Sequence, residues 1–371
     1  MRDDVERDLF ERDLESGLRL LAERAPAAPP DLMARVRARR SRRWWRALAA
    51  ILATGAIAGT GAVVTSAGRE PIDRPEPIPS IEKAHPRAVH SAPLLLPDGR
   101  PYDVVAMIDR SHALIRTTRD GHADHADGLW SLDLPTGGAT LLVGLTAPKG
   151  TVISSWSVAV GAGKIAWWTG RKERGEFVTT FFTAPVTGGR QRVLTEVPGS
   201  PLDFAIAGGK VVWTRDETGG AYEVPLEGGR PRPIGGAEGL HLLQWPWVGD
   251  PITGYREILN VRTGERRTAR GWDAPAKCSV TWCATPDRVG RRDGTSVRHM
   301  KDVHFRDGLP ALDRFLMPYI WSSNRFLLYD LVTGRSFDLA SDDNPVLDHR
   351  MTVLAYEKGG RRMILDLAAI P

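Results

Sequence analysis

Between Asp120 and Asp127 the chain places two histidines and three aspartates: Asp120, His122, Asp124, His125 and Asp127. Imidazole and carboxylate donors at this density can hold a divalent cation, provided a loop folds them around one point. His122, Asp124, His125 and Asp127 are the candidate ligands. The segment falls between two expected strands of one repeat. Solvated surface loops collect such residues without any ligand, and that is the more ordinary reading.

Cys278 and Cys283 are the only cysteines, with four residues between them. That spacing does not fit Cys-x-x-Cys redox chemistry, and two cysteines alone make a poor zinc site. Outside the cytoplasm the pair fits a structural disulfide, with free thiols as the alternative. The twelve tryptophans could stack on a sugar or peptide. Five of them (Trp156, Trp167, Trp168, Trp213, Trp321) fall inside expected strands, where packing between repeats is the simpler role. Trp245-Pro246-Trp247 is the exception, because the proline suggests a loop or strand edge. Trp245 and Trp247 are therefore the candidate ligand-binding pair.

Catalytic signatures are absent. There is no Gly-x-Ser-x-Gly elbow, Walker loop, His-Glu-x-x-His or repeated Ser-x-Asp-x-Gly box, and nothing calls for a cofactor. Carboxylates gathered at a central channel would leave no such spacing, so an enzyme is disfavoured rather than excluded.

The elements that must position these residues begin at about residue 88. Short Val/Ile/Leu/Trp/Phe runs alternate there with Gly, Asp and Arg, and helical periodicity is lacking. Gly163-Lys164-Ile165-Ala166-Trp167-Trp168-Thr169 matches Gly209-Lys210-Val211-Val212-Trp213-Thr214. A polar loop, a second apolar strand and a Gly-Gly or Thr-Gly turn follow each. His112–Thr118 with Leu129–Leu134, and Arg325–Val332, obey the same plan. The turn glycines 138, 189, 229, 264 and 334 lie 51, 40, 35 and 70 residues apart, and the last gap spans an irregular unit near Asp293-Gly294. Four-stranded units at this period predict an all-β fold, a β-propeller of about seven blades, with six as the alternative. The last unit, with strands at Thr352–Tyr356 and Arg361–Leu367, lacks an outer strand. A segment near Ala88–Leu96 could supply it and close the ring.

These repeats resemble the TolB-like and WD40-like propellers of bacterial envelope proteins, over about 88–371. The whole arrangement looks like uncharacterised single-pass membrane proteins of actinobacteria. That resemblance implies a rigid interaction platform and carries over no functional residues. The Gly-His and Trp-Asp signatures of eukaryotic WD40 blades are missing.

Upstream, seven arginines crowd residues 35–46, and 22 uncharged residues follow from Ala47 to Gly68. About 20 apolar residues suffice to cross a bilayer. The arginine bias places the N-terminus in the cytoplasm and the propeller outside. Ser41-Arg42-Arg43-Trp44-Trp45-Arg46 also resembles a twin-arginine export signal, but some 40 residues precede it and no Ala-x-Ala ends the apolar run. Gly55 and Gly59 form a small-xxx-small pair of the kind that brings helices close. The expected domains are a helical, Arg-rich cytoplasmic tail (1–46), a transmembrane helix (47–68), a Pro-rich spacer without helix or strand (69–87), and the propeller (88–371). Residues 1–46 carry 12 of the 42 arginines against nine acidic residues, so much of the net charge of +5 is local. This argues against a nucleic-acid partner.

The expected function is that of an envelope module binding a protein, peptide or glycan. A membrane-tethered hydrolase or lyase at the channel mouth, or a transmembrane regulator signalling through the tail, are the alternatives.

Overall fold

The computed structural model describes residues 78–371 except 123–124, 274, 301–303, 306–308, 321–322, 324 and 349–350, with backbone only at 154–156. The expected tail, the apolar segment 47–68, Asp124 and Trp321 lie outside the described residues. Among the described residues no helix is long and apolar enough to cross a membrane.

Seven antiparallel sheets succeed one another along the chain, at residues 103–144, 151–198, 201–233, 241–268, 277–299, 304–338 and 346–366. Each has four strand positions, and sequential strands are hydrogen-bonded neighbours. In the sixth sheet the second position is split into Phe315–Leu316 and Pro318–Ile320. The irregular unit around Asp293-Gly294 is the fifth blade. The outer strand of the seventh comes from the segment before the first blade: Val89–Ala92 pairs with Arg361–Asp366, Val89 opposite Leu365 and Ala92 opposite Arg362. This closure joins the first and last strands of the described ring.

The blades stack through apolar faces on both sides, so their strands read as continuous apolar runs. Successive side chains point to opposite faces of a strand. Trp167 and Trp168 therefore serve two interfaces. Trp167 packs with Leu114 and Leu129 of the first blade, and Trp168 with Trp213 and Val224 of the third. Phe181 meets Trp213 with ring centroids 4.7 Å apart, and Trp167 stacks on Phe182 at 5.7 Å.

The recurring glycine turn has a specific job. Gly188 has φ +91°, and a Cβ there would lie 3.3 Å from the Leu142 carbonyl oxygen of the preceding blade. Gly228, at φ +88°, would meet the Leu194 carbonyl oxygen at 3.2 Å. The next amides, Gly189 and Gly229, donate to those same carbonyls. These two turns between third and fourth strands thus clip onto the outer strand of the preceding blade, and glycine is the residue that fits there.

One expectation fails. The Pro-rich stretch was to contain neither helix nor strand, yet Ile81–Ala84 forms one helical turn capped by Ser80. Ile81 is fully buried with Phe337, Tyr356 and Leu365, and Glu82 pairs with Lys358 at 2.6 Å. The turn survives because its prolines flank it, at 79 and 86, and because tertiary burial stabilises a helix too short to stand alone.

Candidate functional site

The inner strands of several blades carry β-bulges, which re-aim side chains and break the alternation. In the first, third and fourth blades the register shifts between Val104 and Ala106, between Pro201 and Phe204, and between Leu242 and Gln244. The bulge of the third blade holds Leu202 and Asp203. Asp203 lines a cavity of about 180 Å³ at the ring centre, to which five of the seven blades contribute. Its walls are mostly apolar (Phe204, Leu243, Leu309, Met351), with Gln244, Tyr255 and Ser279 as polar points.

Around Asp203 stands a group of titratable side chains. Burial, then the nearby Asp216 charge, pushes the Asp203 carboxyl up to about 7. The Tyr255 hydroxyl is pushed up by burial and by Asp203 and Asp250. Burial holds the His241 imidazole below its usual range, against the opposing pull of Asp216 and Asp250. Its Nδ1 is buried without a hydrogen-bond partner among the described residues. Asp216 and Asp250 sit in the loops between second and third strands of the third and fourth blades.

Tyr255 is held in place by its backbone. It has φ +57°, a left-handed conformation that costs a tyrosine about 1 kcal/mol or more. Its N–H donates to the Asp250 carbonyl at 2.8 Å. Its own carbonyl accepts from Nη2 of Arg292 at 2.9 Å. Arg292 is buried and also donates to the carbonyls of Arg256 and Ser279, tying the fourth blade to the fifth.

The residues singled out from sequence are distributed as follows. Trp245 lies in the turn between first and second strands of the fourth blade and forms part of the cavity wall. Trp247 belongs to the second strand, buried against Tyr255 and Ile258, with the Arg267 guanidinium 4.6 Å above its ring. Cys278 and Cys283 are bonded to each other and stand directly opposite in the first two strands of the fifth blade.

The histidine–aspartate segment does not converge on one point. His125 Nδ1 contacts Asp120 at 2.6 Å, whereas Asp127 accepts from the Thr117 hydroxyl at 2.6 Å and lies 3.6 Å from Arg100. His122 faces His125 ring to ring, 5.8 Å apart. Among the described residues no three His, Cys, Asp or Glu side chains are grouped as metal ligands.

No protein-family model and no curated protein sequence matches the chain. Among solved structures it is similar to a prolyl endopeptidase, at 10% identity over 73% of this chain and 49% of that one, with a TM-score of 0.47. The propeller domain of the Trilobed protease from Pyrococcus furiosus is 12% identical, covering 59% of this chain and 83% of that one, TM-score 0.40. A structure described as a TolB from Agrobacterium tumefaciens is 16% identical over 68% and 81%, TM-score 0.28. The chain is a seven-bladed β-propeller with TolB-like structural neighbours. It spans about half the length of the prolyl endopeptidase.

Sequence reasoning missed Asp203 and Tyr255. One signal was available: Asp203 is a lone charge in Pro201-Leu202-Asp203-Phe204-Ala205-Ile206, an otherwise apolar run. A carboxylate set among apolar strand residues is a candidate for a functional role.

Proposed function

We propose that this protein is an envelope-anchored binding module whose propeller takes a small group of a protein, peptide or glycan partner into the cavity at the ring centre. The observation that carries the reading is Asp203, set on a bulge in a mostly apolar wall with Trp245 and Tyr255. An apolar cavity of about 150 Å³ accommodates one benzene ring. A space of about 180 Å³ therefore suits a single ring or branched side chain rather than a whole chain. Apolar walls supply affinity, while one carboxyl and one tyrosine hydroxyl fix orientation. The arginine-flanked segment 47–68 would hold the module at the membrane, with the propeller on the extracytoplasmic side.

The test is cross-linking of the full chain in its native envelope, followed by affinity measurement on the partner recovered. Trp245→Ala and Asp203→Asn should each weaken that partner about tenfold, as expected when a central contact is truncated. A partner that binds both variants as tightly as the parent would remove the cavity from the reading.

A second reading has its own observation. A carboxyl that titrates at about 7 beside Tyr255 has the properties of a general acid, which favours a tethered hydrolase or lyase. Turnover of a small substrate that Asp203→Asn abolishes without loss of binding would select it. The third reading, regulation through the tail, fails if deletion of residues 1–34 leaves signalling unchanged.

A further inference from the structure

A second concave region lies between the fourth and fifth blades and shares no lining residue with the central cavity. The groove has a volume of about 470 Å³ and is lined by Arg266, Arg267, Arg270, Arg291 and Arg292. Asp293 is the one carboxylate in its wall, and that carboxylate is engaged by the amide and hydroxyl of Thr295. Glu265 neutralises Arg267 from the rim at 2.7 Å. Among the described residues no carboxylate reaches ion-pair distance of Arg266, Arg270 or Arg291.

Three further features point to a ligand. Arg267 and Arg291 are laid over the rings of Trp247 and Trp282, at 4.6 and 5.7 Å. Such stacking fixes a guanidinium before any ligand arrives and lowers the ordering cost of binding. Arg292, fully buried at the groove, is held by backbone carbonyls and by no carboxylate. Burial first, and then the Arg267 charge, lower its pKa to about 10 against the opposing pull of Asp313. An anion in the groove would relieve both the mutual repulsion and this uncompensated charge. Charges that only guard an exposed sheet edge sit on the edge strand itself. Here Arg266 and Arg267 do, but Arg291 is on the third strand of the next blade and Arg270 on the connection between them.

We propose that this groove binds a phosphate group. Donors come from two walls, the outer strand of one blade and the third strand of the next, with the Thr268 and Thr281 hydroxyls among them. Donors arriving from several directions suit a tetrahedral oxyanion better than a planar carboxylate. The group is free, as inorganic phosphate or a monoester, or is one unit of a phosphodiester chain.

Calorimetric titration of the full chain at low ionic strength tests this, with inorganic phosphate, acetate and a poly(glycerol phosphate) chain as probes. Phosphate should saturate one site and acetate should not. Arg266→Gln and Arg270→Gln are surface changes that should leave the melting temperature unaltered. Each should weaken phosphate about tenfold, the loss expected of one charge-assisted hydrogen bond. A polymer that binds more than tenfold tighter than inorganic phosphate identifies the chain as the source, and equal affinities identify the free group. Absence of saturation, acetate binding as well as phosphate, or variants with unchanged affinity would each overturn the proposal. None of these results depends on the central cavity, so the two readings fail separately.

Discussion

Replacing Asp203 by asparagine separates a carboxyl that matters from one that merely lines a channel. Folding raises its pKa to about 7, whereas an unfolded aspartate titrates near 3.9. Between those values the native state holds a proton that the unfolded state has released. Stability is therefore lost as pH rises, in contrast to an ordinary ion-paired aspartate. Full ionisation on both sides corresponds to about 4 kcal/mol, since one unit is about 1.4 kcal/mol. About 1.5 kcal/mol of that is already gone at pH 5, where the unfolded carboxyl is ionised, leaving about 2.5 kcal/mol between pH 5 and 8.5. Water reaching the carboxyl through the cavity screens it and makes this an upper value. Asparagine has the same shape and does not titrate. Urea unfolding of parent and Asp203→Asn at pH 5 and 8.5 should thus show the variant gaining about 2 kcal/mol relative to the parent at the higher pH. Comparing two pH values for each protein cancels the hydrogen bonds that asparagine changes. A variant-to-parent difference that is the same at both pH values would refute the burial argument and return Asp203 to the ordinary surface.

The remaining perturbations test the frame. Replacing both Cys278 and Cys283 by serine should cost about 2 kcal/mol in urea unfolding, since the loop they close is short. Gly254→Ala should cost about 3 kcal/mol or more, and a melting temperature within two degrees of the parent would refute it. A Cβ there would stand 2.1 Å from the Ala276 carbonyl oxygen, at φ +69°. Ile81→Ala should cost about 3 kcal/mol if residues 78–87 belong to the folded ring, and almost nothing if they are a free spacer. Limited proteolysis around residue 85 reports the same difference.

Blade number and ring closure were legible because their causes are local and repeated. Gly188-Gly189 and Gly228-Gly229 are glycines because their turns meet the carbonyl of the previous blade, and the turns at Gly138, Gly264 and Gly334 repeat the same place between third and fourth strands. Consecutive aromatics such as Trp167-Trp168 mark a strand buried on both faces. The missing outer strand of the last unit was deducible because an antiparallel ring leaves one place for a spare strand. The helical turn at Ile81 was not legible, since its stability comes from Phe337 and Tyr356, some 250 residues away. The site was mostly hidden for a related reason. Asp203 reaches the ring centre only because a bulge shifts the register after Pro201, and Trp247 is withdrawn from it because its strand pairs regularly with Glu257–Asn260.

Arg292 shows why the choice of test residue matters here. Its guanidinium supports the Tyr255 carbonyl on the channel side and lies in the arginine groove on the other. Removing it would leave the carbonyls of Tyr255 and Ser279 without their donor and take one of two from Arg256, so cavity, groove and blade contact would all change together. A loss of binding in such a variant could not be assigned to either site. Arg266 and Arg270 carry exposed side chains that make no hydrogen bond or ion pair among the described residues. Asp203 and Trp245 in turn line the cavity and not the groove. Substitutions at these four positions act on one site at a time, which is the condition under which their free energies can be added and compared.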